Sequence, residues 1–209
     1  MTAPSASELE RACETLAARD RVLAQAYAEI GLPTWRQTAP TYQSLARIVV
    51  YQLISTKAAD AIWARIESRF DTMTARCVLD DDHAALLACG LSRPKLGHIL
   101  AIADAVETGV LDFDMLAAAP IDHARARLLS VRGIGPWTAE TFLMTALGQL
   151  DAFPHGDVGL MESYKRLDNA AMRLSSKEFS ARAESWQPYR AVAAHLLYDW
   201  LHWDRRQND

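Results

Sequence analysis

The 209-residue chain is predicted to be all-α, a bundle of about ten helices. Three observations predict this. Apolar residues recur at helical rather than alternating spacing. Caps and stops punctuate the chain at helix-sized intervals. No β-branched run bounded by turn residues reads as a strand. With 50% hydrophobic residues the chain can bury one large core or two small lobes sharing one.

The elements follow in order. Ser7 to Ile30 reads as a first helix, stopped by Gly31 and Pro33. Between Thr41 and about Ser55, the residues Leu45, Ile48, Val49, Gln52, Leu53 and Thr56 follow the i, i+3, i+4, i+7, i+8, i+11 pattern of one helix face, with Gln52 and Thr56 as its polar members. A further helix runs through Phe70, and DDDHAALLACG holds a short one between an aspartate start and Gly90. Pro94 to Thr108 is closed by Gly109. Residues 121–129 and 136–148 flank a turn at Gly133 and Gly135. Ser175 and Glu178 form a capping box for a helix reaching Trp186, and Pro188 opens the last helix, which ends near Trp203.

Composition narrows the function classes. A net charge of −4 argues against a non-specific nucleic-acid glue, which needs a large positive excess to displace counterions. The segment 121–148 is locally basic, with Arg125, Arg127 and Arg132 against Asp122 and Glu140. The segment 71–82 is acidic through Asp71, Asp80, Asp81 and Asp82. Cys13, Cys77 and Cys89 are odd in number and far apart, which suits neither a disulfide framework nor a metal cluster. The first residues lack a basic segment followed by an apolar run, and no window is long enough to span a membrane. The expectation is a soluble cytoplasmic protein, nucleoid-associated and without a membrane partner.

The stretch LLSVRGIGPWTAETFLMTALGQLDAFPHGDVGL, residues 128–160, carries the most chemistry. Gly133 and Gly135 bracket Ile134 and let the backbone turn tightly and approach another surface. Pro136 then opens a helix whose free N–H groups face anions, a DNA phosphate among them. About twenty residues on stands Asp157, which reads either as the N-cap of a helix starting at Val158 or as a carboxylate held beside a DNA-binding hairpin. Both roles are compatible.

VRGIGPWTAETF followed by FPHGDVGL resembles the helix-hairpin-helix (HhH-GPD) DNA glycosylase superfamily, and within it the 3-methyladenine DNA glycosylase II branch. VVYQLISTKAADAIWARI (49–66) resembles that family's helix bearing the residue wedged into DNA, and WQPYRAVAAHLLYDW (186–200) its closing helix. The resemblance implies a single glycosylase domain of two lobes with a DNA cleft between them: 1–40 with about 112–209, including the hairpin 128–148, and about 41–111. It places the catalytic carboxylate at Asp157, where it would stabilise the positive charge that builds on the sugar as the base departs. Relatives that also cut the strand carry a Schiff-base lysine where this chain has Trp137, so a monofunctional enzyme without lyase activity is implied.

The resemblance implies further roles. Leu53 would fill the gap left by a flipped base, with Gln52 the alternative plug, although Leu53 equally suits the apolar face of its helix. The base pocket would comprise Trp137, Thr141, Phe142, Leu197 and Tyr198. At Thr141 and Leu197 the chain departs from the aromatics its relatives carry, with Phe142, Tyr198, Trp200 and Trp35 as nearby substitutes. Arg132, Gly133, Ile134, Gly135 and Thr138 would join Gln52 and Leu53 in contacting DNA. The carbonyls of Leu129, Val131 and Gly133 would hold a monovalent cation, K+ or Na+. No iron–sulfur cluster is expected, since no cysteine follows Cys89. The partner would be double-stranded DNA containing alkylated bases, bound by a monomer. Two readings stand beside this one: a non-catalytic helix-hairpin-helix module that grips DNA backbone, and a glycosylase for a different lesion.

Overall fold

In this computed structural model, which describes residues 3–208, regular structure consists of thirteen α-helices and one 3-10 turn, and no strand occurs among the described residues. The helices are α1 (Ala6–Arg19), α2 (Arg21–Ile30), α3 (Tyr42–Tyr51), α4 (Thr56–Glu67), α5 (Ala75–Asp80), α6 (His83–Ala88), α7 (Arg93–Glu107), α8 (Phe113–Ala118), α9 (Ile121–Leu129), α10 (Pro136–Thr145), α11 (Val158–Leu167), α12 (Ser176–Ala183) and α13 (Arg190–Asn208), with the 3-10 turn at Glu184–Trp186. The all-α expectation holds, with a finer division than about ten helices.

The chain forms two compact units, 1–37 with 148–209, and 38–147. This corrects the lobe boundary expected near residue 112. Residues 112–147 cluster with the central unit, because α10 packs on α3 and α9, and Phe113 at the start of α8 lies against Phe142.

In the terminal unit, the single helix expected over Ser7–Ile30 is broken at Asp20, whose backbone is extended (φ −143°, ψ 115°). The break serves a buried carboxylate. Asp20 is 2% exposed and accepts from the Val22 N–H at 2.9 Å, the Trp186 indole N–H at 2.8 Å and the Arg182 guanidinium at 2.7 Å. Arg182 also donates to the Tyr164 hydroxyl at 2.9 Å, so α2, α11, α12 and the 3-10 turn meet at one polar centre. Around it Phe153, Tyr164, Phe179 and Trp186 pack ring on ring, with centroids 5.2–5.8 Å apart. The capping box read from Ser175 and Glu178 is formed at the start of α12.

The central unit is built on α3 and α7. Leu45, Val49 and Val50 of α3 and Ile99 and Ile102 of α7 are almost wholly buried, and the Tyr42 hydroxyl donates to the Ile99 carbonyl at 3.2 Å. Between α9 and α10 the chain turns at Gly133, whose φ of +94° favours glycine. A Cβ at Gly133 would lie 2.5 Å from the His98 Cβ and 2.9 Å from its Cα, so the turn rests directly on α7. Gly135 differs. Its φ is −88° and a Cβ there would meet nothing within 4 Å.

Two stability outcomes follow. Asp20→Ala, which orphans the Trp186 indole and a half-covered arginine, should cost about 3 kcal/mol; an unchanged melting temperature would contradict the role assigned to this carboxylate. Gly133→Ala should cost about 2–3 kcal/mol in urea unfolding while Gly135→Ala stays within about 1 kcal/mol, and equal costs at both glycines would refute the His98 contact.

Candidate active site

Asp157 ends a loop pinned at its start by Phe153, which is 3% exposed in the aromatic cluster of the terminal unit. The His155 N–H donates to the Phe153 carbonyl at 2.9 Å and the Asp157 N–H to that of Pro154 at 2.8 Å, folding the loop tightly. Asp157 is the N-cap of α11: its Oδ1 accepts from the Leu160 N–H at 3.0 Å. A second donor arrives from α13, where the Tyr198 hydroxyl hydrogen-bonds the same carboxylate. Burial and the neighbouring negative charge push the Tyr198 phenol well above its ordinary range, so it remains a donor. A Cβ at Gly159 would stand 3.1 Å from Asp157 Oδ1 and 3.8 Å from Tyr198 Cε1; the glycine keeps this corner open.

A neighbouring face of α13 holds an aromatic strap. His195 and Asp199, four residues apart, share that face beside Tyr198. The Trp35 ring stacks on His195 with centroids 4.3 Å apart, the Thr34 N–H donates to Asp199 Oδ2 at 2.6 Å, and Arg36 pairs with Asp199. His195 Nδ1 lies 2.7 Å from the Ala191 carbonyl, and burial holds the imidazole below its ordinary pKa, which favours the neutral ring under Trp35.

Two pocket assignments made from sequence are corrected. Leu197 is fully buried in the terminal unit, and its carbonyl accepts from Ser163 Oγ at 2.7 Å. Phe142 is fully buried against Phe113 in the central unit, with centroids 5.7 Å apart. Neither presents a face to a ligand. Tyr198, one residue beyond Leu197 and so about 100° around the helix, is the residue that reaches Asp157. Trp137 and Thr141 sit half-buried on α10, where the Thr141 hydroxyl donates to the Trp137 carbonyl at 2.7 Å.

The central unit displays two turns. In the hairpin, Val131 and Ile134 are buried and Arg132 is exposed. No side chain caps the N-terminus of α10 at Gly135. Val131's carbonyl accepts from the Ile134 N–H at 3.1 Å. Arg125 pairs with Glu140 and Asp122, which takes it out of the local basic excess and leaves Arg127 and Arg132 exposed. The second turn overturns the expected helix face: α3 stops at Tyr51, and Leu53 lies outside it with φ +58° and its side chain fully exposed. A left-handed leucine costs about 1–2 kcal/mol. Gln52 Nε2 donates to the Thr138 hydroxyl at 2.6 Å, tying this turn to the first turn of α10. Thr138 is 1% exposed, so it supports the turn rather than facing solvent.

Sequence reasoning missed Lys95, His98, Asp199 and the stack of Trp35 on His195. Each acts through a partner distant in the chain, and no local pattern marks them. His, Cys, Asp and Glu form no metal-binding group among the described residues.

Comparison with known proteins identifies the family of this fold. The family model described as HhH-GPD superfamily base excision DNA repair protein matches residues 46–188. Among curated proteins, the chain is 33% identical over 178 residues to a probable bifunctional transcriptional activator/DNA repair enzyme AlkA of Mycobacterium tuberculosis, covering 79% of this chain and 34% of that protein. The chain thus spans about a third of the length of that relative. Among solved structures, the 3-methyladenine DNA glycosylase Mag1 of Schizosaccharomyces pombe in complex with abasic DNA superposes with a TM-score of 0.81 at 25% identity, over 90% of this chain and 95% of that one. A DNA-3-methyladenine glycosidase from Bacillus halodurans gives a TM-score of 0.77 at 31% identity, over 94% and 91%. The chain therefore belongs to the HhH-GPD superfamily of base excision DNA repair proteins, in its 3-methyladenine DNA glycosylase branch.

Proposed function

We propose that the chain is a monofunctional DNA glycosylase that rotates alkylated purines, of the 3-methyladenine and 7-methylguanine type, out of the duplex and hydrolyses their N-glycosidic bond. The observation that carries this reading is the Asp157 carboxylate, aimed by the Leu160 N–H and the Tyr198 hydroxyl in a corner kept open by Gly159. As the bond between C1′ and the base nitrogen lengthens, its electron pair leaves with the base and positive charge spreads over C1′ and the ring oxygen. A fixed carboxylate stabilises that charge. Water then adds to C1′ and gives up a proton, leaving an abasic site, and Asp157 is the group placed to orient that water. An alkylated base departs neutral because it began cationic, so no general acid is required.

The aromatic faces of Tyr198 and Trp35 suit a cationic base. Trp137 offers no amine for a Schiff base, which supports hydrolysis without strand cleavage. Double-stranded DNA is the partner we assign, bound by a monomer. The uncapped start of α10 and the exposed Arg127 and Arg132 would meet phosphate, and Leu53 would fill the vacated stack. The carbonyls of Leu129, Val131 and Gly133 are neutral oxygen donors that suit a monovalent cation rather than a transition metal, and a bound ion there would add positive charge toward phosphate. A second reading, excision of a different or narrower lesion set, draws on the burial of Phe142 and Leu197, which removes two surfaces from the pocket.

Incubation with methylated duplex followed by hot alkali should reveal abasic sites. Asp157→Asn should lower the single-turnover rate at least about a hundredfold with duplex affinity kept, and Tyr198→Phe should lower it about tenfold. Full activity in Asp157→Asn would refute the assignment. Nicks without alkali, or a borohydride-trapped covalent complex, would refute the monofunctional claim. No release from any alkylated duplex, with binding retained, would favour the binding module.

A further inference from the structure

We infer that Lys95 is a positioning residue that holds the Leu53 side chain in its DNA-entering conformation. This rests on the reading of the chain as a base-flipping glycosylase with Leu53 as its plug. The end of α3 leaves carbonyl oxygens without helical partners. Lys95 Nζ, reaching across from the first turn of α7, donates to the carbonyl of Val50 at 2.7 Å and to that of Gln52 at 2.7 Å. The second of these belongs to the peptide that joins Gln52 to Leu53, whose left-handed backbone points a fully exposed leucine outward. Left-handed conformations of residues with side chains persist only where their surroundings enforce them. Lys95 grips the main chain on one side of the turn, and the bond from Gln52 to Thr138 ties its side chain on the other.

The location strengthens the inference. His98, one helical turn after Lys95, is the residue on which the Gly133 turn rests. One short stretch of α7 therefore carries both the plug and the hairpin, and fixes their spacing. A plug whose backbone is already held enters the stack without that turn first being ordered, which removes an entropic cost from base flipping. Lys95 is bound to backbone carbonyls rather than to a carboxylate, so its charge strengthens both bonds.

The test is a double-mutant cycle of Lys95→Met and Leu53→Ala, read on a duplex with 2-aminopurine beside a tetrahydrofuran abasic analogue, together with single-turnover excision from methylated duplex. Each single variant should lower 2-aminopurine unstacking and excision about tenfold, and the double variant should be no worse than Leu53→Ala alone. Affinity of Lys95→Met for undamaged duplex should be unchanged. Additive losses, an unaffected Lys95→Met, or weakened binding of undamaged duplex by Lys95→Met would overturn the inference, the last by making Lys95 a phosphate contact. Leu53→Ala without effect would instead overturn the plug reading itself. Circular dichroism melting checks the fold, and Lys95→Leu, which also removes the donor, replaces the methionine variant in the cycle if that fails to fold.

Discussion

The terminal unit depends on the buried carboxylate of Asp20. A charge removed from water must be met by donors, and Val22, Trp186 and Arg182 supply them from three places in the sequence. Meeting that demand breaks the N-terminal helix in two and sets Trp186 where Phe153, Tyr164 and Phe179 close around it. Phe153 is also the first residue of the loop that delivers Asp157. The position of the candidate catalytic carboxylate is thus inherited from a core built around another aspartate.

The geometry of Asp157 suits both roles read for it, the observed cap and the proposed catalytic carboxylate. As N-cap it satisfies an orphan backbone donor of α11, and that bond fixes the side-chain torsion. Tyr198 approaches from α13, and the missing Cβ at Gly159 leaves the corner unfilled. In the proposed reaction the cap is what orients the carboxylate, so the two readings of this residue do not compete.

In the central unit α7 does the corresponding work. Its first turns meet the α3 terminus through Lys95 and the hairpin through His98, while Gln52 and Thr138 link the two turns to each other. A strained leucine and a glycine-only turn are both held on the same helix. Strain at these positions is tolerable because rigid secondary structure surrounds it.

The sequence by itself determined that this chain is helical, where most helices begin and end, and which loop carries the carboxylate. Those are local properties: apolar spacing, caps such as Ser175 with Glu178, and stops such as Gly31 and Gly109 are read within one or two turns. Its motifs also located the hairpin and Asp157. Tertiary structure decided the rest. It cut the first helix at Asp20, released Leu53 from an apolar face that its spacing matched, assigned residues 112–147 to the central unit, and buried Phe142 and Leu197 while joining Tyr198 to Asp157 and stacking Trp35 on His195. These outcomes turn on long-range partners, a lysine for two carbonyls or an indole for a carboxylate, whose energies of about 1–3 kcal/mol exceed the local preferences they override.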